Sequence, residues 1–221
     1  MDDYVNVIEM MKNNPGAFKK EYTFTKEQSD AINELICKIE DNNFSNSKQK
    51  GDALESLIDK VFSLHKIYKI SKNLRTITNE IDLFLELEFF GSQMNMNLEQ
   101  NILDGDTIVE CKNYSGKLGV TMVGKFASLM RISKKKTGFF ITKNGITGKN
   151  SWDSSKGLIR KICLKDDSYI FDFKLDDFKN LENKNLFDLV KQKKQALDLD
   201  VNIENVLKEH ELEVIFNNST A

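Results

Sequence analysis

Apolar positions along the chain alternate between helical and strand-like spacing, and the changes of period predict a series of elements. Residues 2–43 read as helical. Within them Thr25 and Gln28 stand as in a capping box, and Ala31, Ile32, Leu35, Ile36 and Ile39 recur at helical spacing. Asn42, Asn43, Ser45, Asn46 and Ser47 form a polar break. A second helix is predicted over 49–64, with Leu54, Leu57, Ile58, Val61 and Phe62 as one stripe. A strand is expected from His65 to Ile70. Glu80 to Glu88 then alternates strictly: Ile81, Leu83, Leu85 and Leu87 face one way, and Glu80, Asp82, Phe84, Glu86 and Glu88 the other.

Residues 89–106 are polar, with Gly91 and Asp104-Gly105 as turn signals, and read as a hairpin-like insertion. A third strand follows at Thr107–Lys112, a helix at Gly119–Ile132 and a short apolar strand at Gly138–Thr142. A helix over 150–163, a last strand at Tyr169–Phe173 and a charged helical tail over 175–210 complete the series. Antiparallel strands followed by a crossover unit predict an α/β fold, a mixed sheet with helices packed on its faces. The expected division is a helical N-terminal extension over 1–47, a core over 48–181 and a helical C-terminal tail over 182–221.

Composition narrows the class. The chain has 221 residues, 40% hydrophobic and 30% charged, as expected of a globular domain with a real core. No apolar run approaches a membrane span, and the acidic start Met1-Asp2-Asp3-Tyr4 does not resemble a signal peptide. Three widely separated cysteines, Cys37, Cys111 and Cys163, argue against a disulfide framework and a zinc site, so a cytoplasmic setting is expected. The net charge of -2 and the pI near 5.8 are unlike those of a general nucleic-acid binder, although local basic patches remain.

The candidate chemistry lies on two strands. Period two puts Glu110 and Lys112 on one face of Thr107–Lys112, and Asp82 lies on the carboxylate face of the preceding strand. If those strands pair, the three converge at one end of the sheet. Two carboxylates are the hard oxygen ligands that Mg²⁺ prefers, and the Cys111 carbonyl between Glu110 and Lys112 is a further candidate ligand. A nearby lysine can orient an attacking water, or deprotonate it if its own pKa falls. Glu55, at the edge of the 49–64 stripe, is a third available carboxylate. Each feature alone has a plainer explanation: a solvated acidic face, a surface ion pair, an ordinary helix edge. Their order and strand context favour the catalytic reading.

These segments resemble the PD-(D/E)xK nucleases, and the Mrr-type restriction endonucleases in particular. Lys50-Gly51-Asp52-Ala53-Leu54-Glu55 resembles the family's opening helix, and Asn79-Glu80-Ile81-Asp82-Leu83 the strand with its first metal-binding aspartate. Val109-Glu110-Cys111-Lys112-Asn113 is similar to its Glu-x-Lys strand, a form also found in archaeal Holliday-junction resolvases. Thr137 to Gly148 and Tyr169 to Leu181 resemble its later segments. The resemblance implies a restriction-endonuclease-like fold over residues 48–181 and Mg²⁺-dependent DNA cleavage, with Mn²⁺ as a substitute. It implies Asp82, Glu110 and Lys112 as catalytic positions, with Glu55 accessory. Two departures stand out: Thr78-Asn79-Glu80 replaces the usual proline and glycines, and the 89–106 insertion is long.

Basic residues are the candidates for phosphate contact: Lys134, Lys135, Lys136, Lys143 and Lys149, with a solvated helix end as the plainer explanation. Lys125, the Asn144–Gly148 loop and Trp152 are weaker candidates, and Met94 and Met96 of the insertion could face a partner or substrate. His65 and His210 have no partner motif. The leading expectation is a DNA endonuclease of restriction or antiviral defence, with a homodimer favoured by two-strand cleavage. A junction-specific nuclease and a non-catalytic nucleic-acid- or partner-binding module are the alternatives.

Overall fold

The computed structural model describes residues 9–75, 80–97, 99, 101–103, 105–148 and 154–200. Near its start, α1 (Pro15–Glu21) precedes α2 (Lys26–Asp41). The expected single helix is therefore broken, and Tyr22 and Phe24 of the break are buried. Thr25 makes the full capping box with Gln28, a type of cap worth about 1 kcal/mol. Ile32, Ile36 and Ile39 form the buried face of α2. α3 (Ser47–Ser63) is capped by Asn46, whose side chain accepts from the Gln49 N–H at 2.9 Å. Its stripe of Leu54, Leu57, Ile58, Val61 and Phe62 is wholly buried, as the spacing predicts.

The strands are β1 (Tyr68–Arg75), β2 (Glu80–Leu87), β3 (Thr107–Lys112), β4 (Thr137–Thr142) and β5 (Tyr169–Lys174). They form one five-stranded sheet in sequence order. β1, β2 and β3 pair antiparallel, and β3, β4 and β5 pair parallel. The parallel half needs crossovers, which α5 (Val120–Ile132) and α6 (Ser155–Asp166) supply. β4, in the middle of that half, is buried along its whole length, as a strand covered on both faces must be. Gly138 lets α5 sit close on it: a Cβ there would meet Met130 Sδ at 2.6 Å and the Phe126 ring at 2.8 Å.

Two apolar layers cover the sheet. On one face Leu83, Leu85, Val109, Phe139, Ile141 and Phe171 pack with α2, α3 and the start of α7 (Leu186–Asp200). On the other, Ile108, Phe140 and Ile170 pack with α5 and α6. Residues before 48 and after 181 share the first layer, through Ile32, Ile36, Leu186 and Phe187 among others.

Two expectations need correction. The strand expected at His65–Ile70 begins instead at Tyr68, because Leu64–Lys66 form a 3-10 turn in which His65 and Lys66 take left-handed backbone angles, φ 66° and 52°. The expected hairpin in 89–106 is partly a helix, α4 (Phe89–Asn97). Met94 faces the core and Met96 is exposed. Asn95 is buried and pins the segment from both sides, donating to the Leu103 carbonyl at 2.7 Å and accepting from the Leu103 N–H at 2.9 Å. Among the described residues, no helix is long and apolar enough to cross a membrane.

Candidate active site

The site begins where the sheet opens. β2 and β3 pair from Leu85–Thr107 to Leu83–Val109, and the ladder stops there. On its other side β2 pairs with β1 at Leu83 and Ile81 but not at Asp82, opposite Asn73, which has φ 50°. The Asp82 side chain takes over where the ladder ends: its Oδ2 accepts the Cys111 N–H at 2.7 Å. That bond fixes the carboxylate against β3 and satisfies a backbone donor that has lost its strand partner.

Glu110 and Lys112 share a face of β3, as period two requires. Lys112 Nζ lies 2.5 Å from Glu110 Oε1 and 3.5 Å from Asp82 Oδ2, and donates to the Cys111 carbonyl at 3.2 Å. One ammonium thus gathers the three oxygen groups expected to hold a divalent cation. The donor set fits such a cation: two carboxylates and a carbonyl, all hard oxygens, converging on one point. Among the described residues no group of three or more His, Cys, Asp or Glu side chains could hold a metal ion, so the fit depends on that carbonyl.

Electrostatics carry the imprint of crowded negative charge. Burial and then the Asp82 charge push the Glu110 carboxyl above its ordinary pKa, against the pull of Lys112. Glu55 is raised by burial, then by Asp82 and Asp52. Burial works against the Lys112 charge, but Glu110 and Asp82 outweigh it and hold the amine above its ordinary value. Lys112 is therefore a fixed cation here, suited to donating hydrogen bonds rather than to accepting a proton.

An open cleft of about 580 Å³ lies in front of this group. Glu55, Asp82 and Lys112 line it together with Ser47, Lys50 and Tyr114. Asn113 ties its two walls together, donating to the Lys50 carbonyl of α3 at 2.6 Å from the residue next to Lys112. Its Oδ1 is buried with no partner among the described residues. The residue pattern alone gives Asn113 and Lys50 no role. The only signal is a polar residue directly after the Glu-x-Lys strand.

The basic candidates separate. Lys143 stands beside the cleft, but its ammonium donates to the Ile39 carbonyl at the end of α2 at 2.6 Å. Burial and the Lys50 charge hold its pKa below the ordinary lysine value. Lys134, Lys135 and Lys136 precede β4, at the end of the sheet opposite Lys112, and are not brought to the cleft. Lys149, Trp152 and His210 lie outside the described residues.

Comparison with curated proteins yields no match. Among solved structures, the chain is similar to the DNA modification-dependent restriction endonuclease AspBHI, at 16% identity and a TM-score of 0.39. The match covers 82% of this chain and 42% of the other, so the chain spans less than half of that protein's length. The family model Mrr_cat, restriction endonuclease, matches residues 47–172, which run from the start of α3 into β5 and include Glu55, Asp82, Glu110 and Lys112. That is more than half of the chain, and the chain belongs to the Mrr_cat restriction endonuclease family.

Proposed function

We propose that the chain is a metal-dependent endonuclease that hydrolyses DNA phosphodiester bonds, acting in restriction or antiviral defence. One observation carries the reading. A single ammonium, Lys112 Nζ, lies within 3.5 Å of Asp82, Glu110 and the Cys111 carbonyl, where β2 and β3 part. Part-buried carboxylates such as Glu110 and Glu55, raised by burial and then by the Asp82 charge, are poised to accept a cation. Mg²⁺, or Mn²⁺ in its place, held by Asp82, Glu110 and the Cys111 carbonyl, would supply charge neutralisation and an acidified water.

The protein's own groups do the rest. Asp82 lines the cleft and is oriented by the Cys111 N–H, so its carboxylate is held in place before any ligand arrives. Lys112, a standing cation, donates to the attacking water or to a phosphoryl oxygen. Glu55 on the α3 wall, its carboxyl raised by burial and then by the Asp82 charge, would accept a hydrogen bond from water in the cleft. Lys143 would add positive charge beside the cleft, and Lys149 is a further candidate for phosphate contact. Cutting both strands takes two such sites, which a homodimer would bring together.

The test is incubation of purified protein with supercoiled plasmid, modified and unmodified, in Mg²⁺, in Mn²⁺ and in chelator. Metal-dependent nicking or linearisation is the expected outcome. Intact plasmid in every lane, from folded protein, would remove the endonuclease assignment for these substrates.

A further inference from the structure

Resting on the endonuclease reading, we infer that Tyr114 is a stacking platform for one unpaired base beside the scissile phosphate. The preferred substrate class would then be DNA carrying a nucleotide out of the duplex stack.

Tyr114 follows Lys112 by two residues and lines the same cleft. The residue is 52% exposed. Among the described residues it makes no ring contact and its hydroxyl no hydrogen bond, unlike Phe139, which packs against Phe62, Phe171 and Phe173. A large ring left in water forgoes the burial that normally places aromatics in a core.

The backbone beneath that ring is held on both sides. Asn144 Nδ2 donates to the Tyr114 carbonyl at 3.0 Å and to the Ser115 carbonyl at 2.9 Å. Asn113 anchors the preceding residue to α3. An exposed ring on a fixed main chain loses little freedom on binding, which is what a stacking surface requires.

The opposite wall is chemically complementary. Lys50 lines the cleft from α3, and its ammonium forms no ion pair with a described residue. A cation, a metal-binding group and a free aromatic face in one cleft match a nucleotide's phosphate and base. In an intact duplex both faces of each base are stacked on neighbours, and only edges face the grooves. A ring stacks most readily on a base that has left the helix.

The test is fluorescence anisotropy with Ca²⁺ as the divalent cation, on a blunt duplex and on the same duplex with one unpaired nucleotide. Wild type, Tyr114→Phe, Tyr114→Ala and Lys50→Ala are compared, each checked for fold by circular dichroism. Wild type and Tyr114→Phe should bind the bulged duplex about tenfold more tightly than the blunt one. Tyr114→Ala should bind both alike. Lys50→Ala should weaken both equally, with a shallower salt dependence. Equal wild-type affinity for the two DNAs, or a preference that survives Tyr114→Ala, overturns the stacking role and leaves the endonuclease reading intact. Folded protein that binds neither DNA overturns both.

Discussion

The two ends of the central sheet both hold clusters of charge, but only one has settled its charges internally. Before β4, Lys135 pairs with Asp106 at 3.3 Å and lies over the Phe84 ring at 5.0 Å. Arg131 pairs with Asp166, and Lys136 donates to the Asp166 carbonyl at 2.8 Å. Every partner there is local, and most of these side chains stay in water, where such pairs contribute little. At the other end Asp82 and Glu110 share one ammonium, burial and the Asp82 charge raise the pKa of Glu110 and of Glu55, and Glu55 and Asp82 line a cleft. Dense charge with matched partners is surface structure. Carboxylates lifted by burial and by a neighbouring charge are what the proposed cation site would require.

Substitutions at each end would test this contrast. The largest effect is expected from Lys112→Ala and from Glu110→Gln, each lowering plasmid cleavage by about a hundredfold or more without loss of fold. Cleavage within about threefold of wild type for both, by the same general acid–base scale, would mean that the chemistry lies elsewhere. Asn113→Ala comes next. Losing the bond to the Lys50 carbonyl should cost about 1 kcal/mol in urea unfolding and slow cleavage as the α3 wall loosens.

Asp172 serves as a control: a part-buried carboxylate lining a different cavity, raised by burial against the pull of Lys193 and Lys156. Its folded pKa lies above its unfolded value, so the folded state binds more protons. Stability should therefore fall as pH rises from the unfolded pKa through the folded one. Asp172→Asn should raise Tm at pH 7, with the gain vanishing below pH 3.8, the ordinary value. The smallest effect belongs to Lys134→Ala combined with Lys136→Ala. Far from the cleft, the pair should alter cleavage by less than about twofold, since surface substitutions away from a site do little. A larger loss would show that DNA reaches both ends of the sheet.

Much of the site was legible because strand alternation is a strong local signal. Glu80–Glu88 alternates cleanly enough to put Asp82 opposite the core-facing leucines, and the same period aligns Glu110 with Lys112. The capping box of Thr25 and Gln28 is also purely local. What escaped depends on distant contacts or on special backbone. α4 lacks a clear apolar period, and among the described residues its Asn95 side chain is satisfied through Leu103, eight positions away. The late start of β1 follows from two left-handed residues, His65 and Lys66, neither a glycine. The bond from Asn113 to Lys50 spans 63 positions, and no local pattern announces it.

The convergence of Asp82, Glu110 and the Cys111 carbonyl on one cation position is most directly tested by titration calorimetry with Mn²⁺. Wild type should bind Mn²⁺, and Asp82→Asn should bind it at least about tenfold more weakly, having lost one charged oxygen ligand. Folded wild type that takes up no Mn²⁺, or an Asp82→Asn variant that binds it as well as wild type, would contradict the assignment of this cluster as the metal site.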